Sequence, residues 1–305
     1  MNSEKLGFAL RPGVFSPTEI KEASPLLERS NKIASIFIPD GRSGYEAIEI
    51  ASTILSLTSR VYAGSGVIRL LEHDPAILVR RVQTIQALSS NRLILGVGTG
   101  SPGPQPGKTV TTMLKRLNEL KKDFRSFPSD VEAPQIYVAT LKTGIAKRSM
   151  GIADGLLLNF CSPHYAAGLV ESIRPQMVEQ IEFACYLKIF YSSKNDGTAR
   201  RLMVQEFLNY DSTPQYHEMF LRDGTADVIS EFRKNDEWKR GPVELPMELL
   251  KVSVANPADD ELSRYVRSFR EAGVTLPVVY PYFPPDEESE FKKRTLRRIL
   301  ETRFD

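Results

Sequence analysis

Eight short apolar runs, each followed by a longer stretch with helical spacing, constrain this chain more than any other feature. The runs are Leu6–Leu10, Ser35–Pro39, Val61–Gly64, Leu93–Gly96, Gln135–Thr140, Gly155–Phe160, Ile181–Leu187 and Leu276–Tyr280. They are continuous leucine-rich or β-branched segments without polar alternation, as strands buried on both faces of a parallel sheet are. The segments between them carry helix-start signals. Ser16-Pro17-Thr18-Glu19 is a capping box with proline at the first helical position. Ser43-Gly44-Tyr45-Glu46 reads as a second box, leading into Ala47, Ile50, Ala51, Ile54 and Leu55 at helical spacing. Asp74-Pro75 opens a third helix, and Thr109–Phe124, Thr143–Gly151 and His164–Ile173 supply three more. Eight strands with helices between them predict an α/β fold, a (β/α)8 TIM barrel.

One stretch breaks the rhythm. From Lys188 to Thr275 there are helical patterns around Thr198–Leu208, Tyr216–Lys234 and Asp259–Ala272, without a clear strand. We read a helical insertion over about 190–258, between strands 7 and 8 on the catalytic face, followed by the barrel's seventh helix. With no linker or repeat, residues 1–305 are expected to form a single domain.

The stretch LGVGTGSPG, residues 95–103, spells G-x-G-x-x-G through Gly98, Gly100 and Gly103. In a dinucleotide-binding unit such glycines lead into a helix that holds a pyrophosphate. Here the strand is fourth in the chain, and Pro102, Pro104 and Pro106 keep the next helix from starting on the last glycine. Where a ribose-binding acid should end a second strand, Lys121-Lys122-Asp123-Phe124 lies in a helical pattern. At the C-terminal end of a barrel strand the same glycines either let a flat ring approach the backbone or simply shape a turn.

Composition narrows the function classes. Forty basic against 38 acidic residues, a formal charge of +2, leave no electrostatic footprint for nucleic acid or an anionic membrane. No apolar run approaches the ~20 residues of a membrane span. Cys161 and Cys185 form no closely spaced pair and no leader is evident, so a cytoplasmic protein acting on a small molecule is expected. His73, His164 and His217 lack metal-ligand spacing, and AGSGV lacks the spacing of a serine-hydrolase elbow. Cys161 ends a strand and reads as a buried, inert thiol or a reactive one.

Three ordered motifs carry a resemblance: GSGVIRLLEHDPAILVRRVQTIQALS, then RLILGVGTGSPG, then QIYVATLKTGIAKRSMGIADGLLLNF. Over residues 6–175, and again in EAGVTLPVVYP (271–281), the chain resembles the luciferase-like monooxygenase superfamily. That group contains flavin-dependent monooxygenases and deazaflavin-dependent oxidoreductases, including methylene-tetrahydromethanopterin reductase. The Gly-Val pair after the third strand and the VATLKTG stretch tilt the resemblance toward the deazaflavin branch. It implies an oxidoreductase that moves a hydride between coenzyme F-420 and a small organic or pterin-like substrate. An FMN-dependent monooxygenase is the alternative, and a non-catalytic flavin-binding barrel the second. A homodimer through early barrel helices is also implied.

The same resemblance implies the site. Asp40 lies near the cofactor ring, Gly66-Val67 matches a bulge with a non-proline cis peptide behind it, and Gly98, Thr99, Gly100 and Ser101 line the next wall. Ala139, Thr140 and Asn159 through Ser162 correspond to positions that hold the ribityl chain and phosphate. His73 is a candidate contact to cofactor or substrate. The superfamily's proton-transfer groups have no counterpart here, their positions being Ala9, Gly41 and Ser101, so no catalytic acid or base is assigned. Tyr45 is the only aromatic near the position of a family tryptophan, and Ser162 replaces a phosphate-binding lysine.

Overall fold

The computed structural model describes residues 5–41, 44–100, 105–176, 181–241 and 243–304. Eight strands form the barrel: β1 (Leu6–Ala9), β2 (Ile33–Ile38), β3 (Tyr62–Ser65), β4 (Leu93–Gly98), β5 (Gln135–Ala139), β6 (Gly155–Asn159), β7 (Glu182–Phe190) and β8 (Leu276–Tyr282). Every neighbouring pair is parallel, and β8 pairs with both β1 and β7, which closes the sheet. The architecture is the (β/α)8 barrel that the strand rhythm predicts, and it rules out an open dinucleotide-binding sheet.

The strands read as unbroken apolar runs because both of their faces are covered. Ala9, Phe37, Ile94, Tyr137, Leu157, Ala184, Tyr186, Val278 and Tyr280 fill the barrel interior as one buried cluster. Alternating residues such as Phe8, Ile36, Ile38, Leu95, Leu156, Leu158 and Leu187 pack outward into a larger cluster shared with the helices. Two glycines bring β3 and β4 together. A Cβ on Gly64 would land on the Ile94 carbonyl, and one on Gly96 on the Ser65 carbonyl.

The capping box at Ser16 forms as predicted, with Ser16 accepting from the Glu19 N–H and the Glu19 carboxylate accepting from the Ser16 N–H. The second predicted box does not form within the described residues. The helix Ala47–Ser56 is capped by Glu46, whose carboxylate accepts from the Glu49 N–H, and Ser43 lies outside the described residues. An acid does this work because a carboxylate both satisfies a free N–H and complements the helix dipole. The helix after β4 begins at Pro106, the last of the three prolines.

The insertion differs from its sequence reading in three ways. Strand β7 continues three residues beyond Leu187, so Lys188 belongs to the barrel. The pattern Tyr216–Lys234 is two helices, Pro214–Arg222 and Ala226–Lys234, separated by Gly224 in the left-handed region (φ +72). A two-residue strand, Val254–Ala255, pairs with β7 and is too short to leave a pattern. The longest insertion helix, Thr198–Asp211, reaches β7 and packs beside it.

Candidate functional site

The C-terminal ends of the strands make the barrel mouth, and its top layer divides into two arcs. The first, from β3 to β5, is almost bare of side chains. There the Gly66–Val67 peptide is cis, at the position the sequence comparison singles out. The Gly66 carbonyl accepts from the buried Tyr186 hydroxyl at 2.8 Å. The half-buried Val67 side chain packs on β4: Cβ atoms added to Gly96 and Gly98 would fall 3.0 and 2.9 Å from its γ-carbons. Ala139 borders the same wall, 3.5 Å from a Cβ added to Gly98. The glycines of LGVGTGSPG therefore let a neighbouring strand and Val67 come close, and they leave an apolar floor on naked backbone.

At the rim of this arc stands Arg69, a residue missed by sequence reasoning. Its Nη2 lies 3.1 Å from Asp40 Oδ2 and donates to the Gly41 carbonyl at 3.1 Å, while its Nε donates to Glu72 at 2.7 Å. Gly100, with φ +67, passes beneath the Arg69 stem; a Cβ there would lie 2.6 Å from Arg69 Cδ. Thr99 donates to the Gly100 carbonyl at 3.1 Å. Burial pushes the Asp40 carboxyl up, against the pull of Arg69, and His73 is close enough to add a small opposing charge effect. Ser101 lies outside the described residues.

The second arc, from β6 through β8 to β1, is polar and aromatic. Lys188 projects inward from β7 and is fully buried, and its Nζ is bound to Glu206 of the insertion helix. Ring centroids of Tyr210, Phe160, Tyr280 and Tyr282 surround that ammonium at 4.0, 4.9, 5.3 and 5.7 Å. Arg11, just past β1, donates to the Tyr282 hydroxyl at 3.0 Å and lies 3.7 Å from Glu206. Burial disfavours ionisation of both Lys188 and Glu206, but their mutual attraction prevails: the lysine pKa is raised and the glutamate pKa lowered, so the pair stays charged. A lysine inside the apolar run FACYLKIF is the signal in the sequence, and it marks the end of a strand there because such a residue is seldom fully buried without a partner.

The positions assigned to a ribityl chain and phosphate are brought together, and each is engaged. Asn159 Nδ2 donates to the hydroxyls of Tyr210 and Tyr216 at 3.1 and 2.6 Å, while its Oδ1 is buried without a partner. Ser162 caps the helix Pro163–Ile173, and its N–H donates to Asp223 at 3.0 Å while its hydroxyl donates to the other Asp223 oxygen. Thr140 Oγ1 accepts from the Lys142 N–H at 2.9 Å, and the Lys142 ammonium binds Glu218 at 2.6 Å. Phe160 sits between these groups in the left-handed region (φ +56), which turns its ring into a cluster with Phe207, Tyr210 and Phe220 at 4.5, 5.1 and 6.0 Å. Tyr210, Tyr216, Phe220, Glu218 and Asp223 all come from the insertion, which thus closes over β5 to β7.

Cys161 and Cys185 are buried with their sulfurs 3.9 Å apart, and the neighbouring sulfur together with burial pushes the Cys161 thiol up. A thiol held protonated in this way is a poor nucleophile. Among the described residues no cluster of His, Cys, Asp and Glu is arranged to hold a metal, and no helix is long and apolar enough to cross a membrane.

Residues 8–120 match the family model for luciferase-like monooxygenases. No curated protein matches the chain by sequence. Among solved structures, the coenzyme F420-dependent tetrahydromethanopterin reductase from Methanopyrus kandleri shares the fold with a TM-score of 0.72 at 16% identity, covering 98% of each chain. An F420-dependent secondary alcohol dehydrogenase, in complex with an F420-acetone adduct, aligns with a TM-score of 0.75 at 13% identity over 99% of this chain and 98% of its own. The oxygenating constituent of 3,6-diketocamphane monooxygenase from Pseudomonas putida, in complex with FMN, aligns with a TM-score of 0.62 at 14% identity over 98% and 97%. The chain thus matches the luciferase-like monooxygenase model over residues 8–120 and shares its barrel fold with these enzymes over nearly its whole length.

Proposed function

We propose that this chain is an oxidoreductase that lays a deazaflavin or flavin ring on the bare arc of its barrel mouth. Coenzyme F-420 is the favoured source of the ring and FMN the alternative. The observation that carries the reading is the Val67 side chain packed on the backbone of Gly96 and Gly98, an apolar floor of valine methyls over glycine on which a conjugated ring can rest. Asp40, Gly66, Val67, Gly98, Thr99, Gly100 and Ala139 would line that ring. The polar arc opposite, with Arg11 and Tyr282, would face a small organic or pterin-like substrate. When bound, such a ring supplies the hydride, and the protein supplies position and electrostatics. The two F420-dependent structures, with TM-scores of 0.72 and 0.75 against 0.62 for the FMN protein, support the deazaflavin. We take barrel and insertion as one domain, assembling as a homodimer.

The test is a fluorescence titration with the 8-hydroxy-5-deazaflavin coenzyme and with FMN at equal salt, using the wild type and Val67→Asp. The deazaflavin binds the wild type, and the variant binds it at least about tenfold more weakly because a carboxylate beneath the ring loses its water. Far-UV circular dichroism verifies that the variant is folded. Binding of FMN alone would make the chain an oxygen-using monooxygenase, and binding of neither these nor their phosphate-free counterparts would end the reading.

A further inference from the structure

We infer that this barrel selects against a phosphate on the ring's tail, and that Asp223 is the residue that excludes it. The inference rests on the ring reading above: it keeps that ring and turns against the phosphorylated tails that coenzyme F-420 and FMN carry, so that the ring would come on a phosphate-free polyol tail. Two of the positions that the family resemblance gives to the tail, Ser162 and Asn159, are hydrogen-bonded by the chain's own insertion. At Ser162 both donors that an anion could use, the N–H and the hydroxyl, are taken by the two oxygens of the Asp223 carboxylate. Asp223 lies directly behind the helix Pro214–Arg222, so the acid is anchored to an ordered segment. It also stands at the start of the helix Pro163–Ile173, where negative charge is favoured, so nothing in the local field drives it out.

The nearby cations are spent as well. Glu218 binds the Lys142 ammonium at 2.6 Å and the Arg222 guanidinium at 2.6 Å. Lys142 and Arg222 are thus both held by Glu218 before any ligand arrives. A phosphate would add about −1.5 to −2 charges beside two carboxylates. The second of these tail positions points to a different chemistry. Asn159 Oδ1 is a buried acceptor without a partner, flanked by the Tyr210 and Tyr216 hydroxyls. That acceptor suits a hydroxyl donor of a polyol tail and repels a phosphate oxygen, which only accepts. Selectivity is therefore written in the insertion.

The experiment compares matched pairs that share a ring and differ only in a phosphate monoester: riboflavin with FMN, and 8-hydroxy-5-deazariboflavin with its 5′-phosphate. Each is titrated by fluorescence into the wild type, Asp223→Asn and Glu218→Gln. In the wild type, the phosphate-free member of at least one pair binds about tenfold or more tightly than its phosphorylated partner. Asp223→Asn removes the charge at constant shape and narrows that ratio at least fivefold by improving phosphate binding alone; Glu218→Gln, which frees Lys142, moves it the same way. If Asp223→Asn does not fold, the wild-type ratio and Glu218→Gln decide. Equal or tighter binding of the phosphorylated member in the wild type overturns the inference and leaves the ring reading standing. Binding of none of the four overturns both.

Discussion

Replacing Glu206 by glutamine tests whether the buried cation at the mouth depends on a single partner. Lys188 is fully buried, and among the described residues Glu206 is the one carboxylate bound to it. Removing one member of a buried pair strands the other without its water or its counter-charge, at a cost of ~3–5 kcal/mol. The surrounding rings attract the ammonium in the wild type already, so they do not soften the loss. Lys188→Met should behave differently. Methionine follows the lysine stem without overfilling the site, and the stranded Glu206 still has the Arg11 guanidinium 3.7 Å away. Its cost should stay near ~1–2 kcal/mol, inside the ordinary range for single substitutions. Urea unfolding at neutral pH, followed by far-UV circular dichroism, measures both. The prediction is an asymmetry, with Glu206→Gln the more damaging by about 2 kcal/mol, the gap between those two ranges. A Lys188→Met protein as unstable as Glu206→Gln would refute the idea that Arg11 can take over the carboxylate. A Glu206→Gln protein within ~1 kcal/mol of wild type would refute the assignment of the pair as mutually dependent.

The same pair predicts a pH dependence. Burial raises the Glu206 pKa, but Lys188 and Arg11 outweigh it and hold the folded value below the unfolded ~4.3. Its stabilising contribution is therefore present above that unfolded value and is lost as pH falls through the folded one, so the stabilities of wild type and Glu206→Gln should draw together as the pH is lowered beneath ~4.3 in acid titrations of the unfolding midpoint. At the β3–β4 contact, Gly64→Ala puts a methyl on the Ile94 carbonyl with backbone on both sides, and a loss at or beyond ~3 kcal/mol, or no soluble protein, is expected. Gly98→Ala meets side chains, the Val67 methyl at 2.9 Å and the Ala139 Cβ at 3.5 Å, so its melting temperature should fall less than that of Gly64→Ala while ring binding weakens. Equal destabilisation by these two substitutions would show that the bare arc is a packing requirement along its whole length.

The barrel was legible because its strands are covered twice, which leaves runs such as LILGVG and GLLLN with no polar interruption. The glycine motif was legible in a negative sense, since three prolines and a misplaced acid exclude a pyrophosphate turn, and the helix does begin only at Pro106. What stayed hidden was set by distant partners. Lys188 reads as a strand terminator until Glu206 is seen to neutralise it. Ser162 reads as a weakened phosphate ligand until Asp223, 61 residues later, is found on both of its donors. Arg69 sits inside the quoted motif, yet nothing local says that it turns back to Asp40 rather than out to water. Spacing along the chain reports periodic burial well. It does not report which charge, dozens of residues away, a side chain will meet.

Closure of the sheet has a consequence for how the molecule is made. Strand β1 hydrogen-bonds on one side to β2 and on the other to β8, and the mouth contact of Arg11 with Tyr282 spans 271 residues. On a ribosome adding ~5–20 residues per second, the free edge of β1 waits roughly 15–50 s for the strand that covers it. During that interval the growing chain presents an open parallel sheet with an uncovered apolar interior. The order of synthesis thus favours a folding route in which β1 to β7 assemble as an incomplete arc and β8 enters last, between two edges that are already in place. The waiting edge, rather than any step at the mouth, is where a nascent copy of this protein is most exposed to chaperones and to other nascent chains.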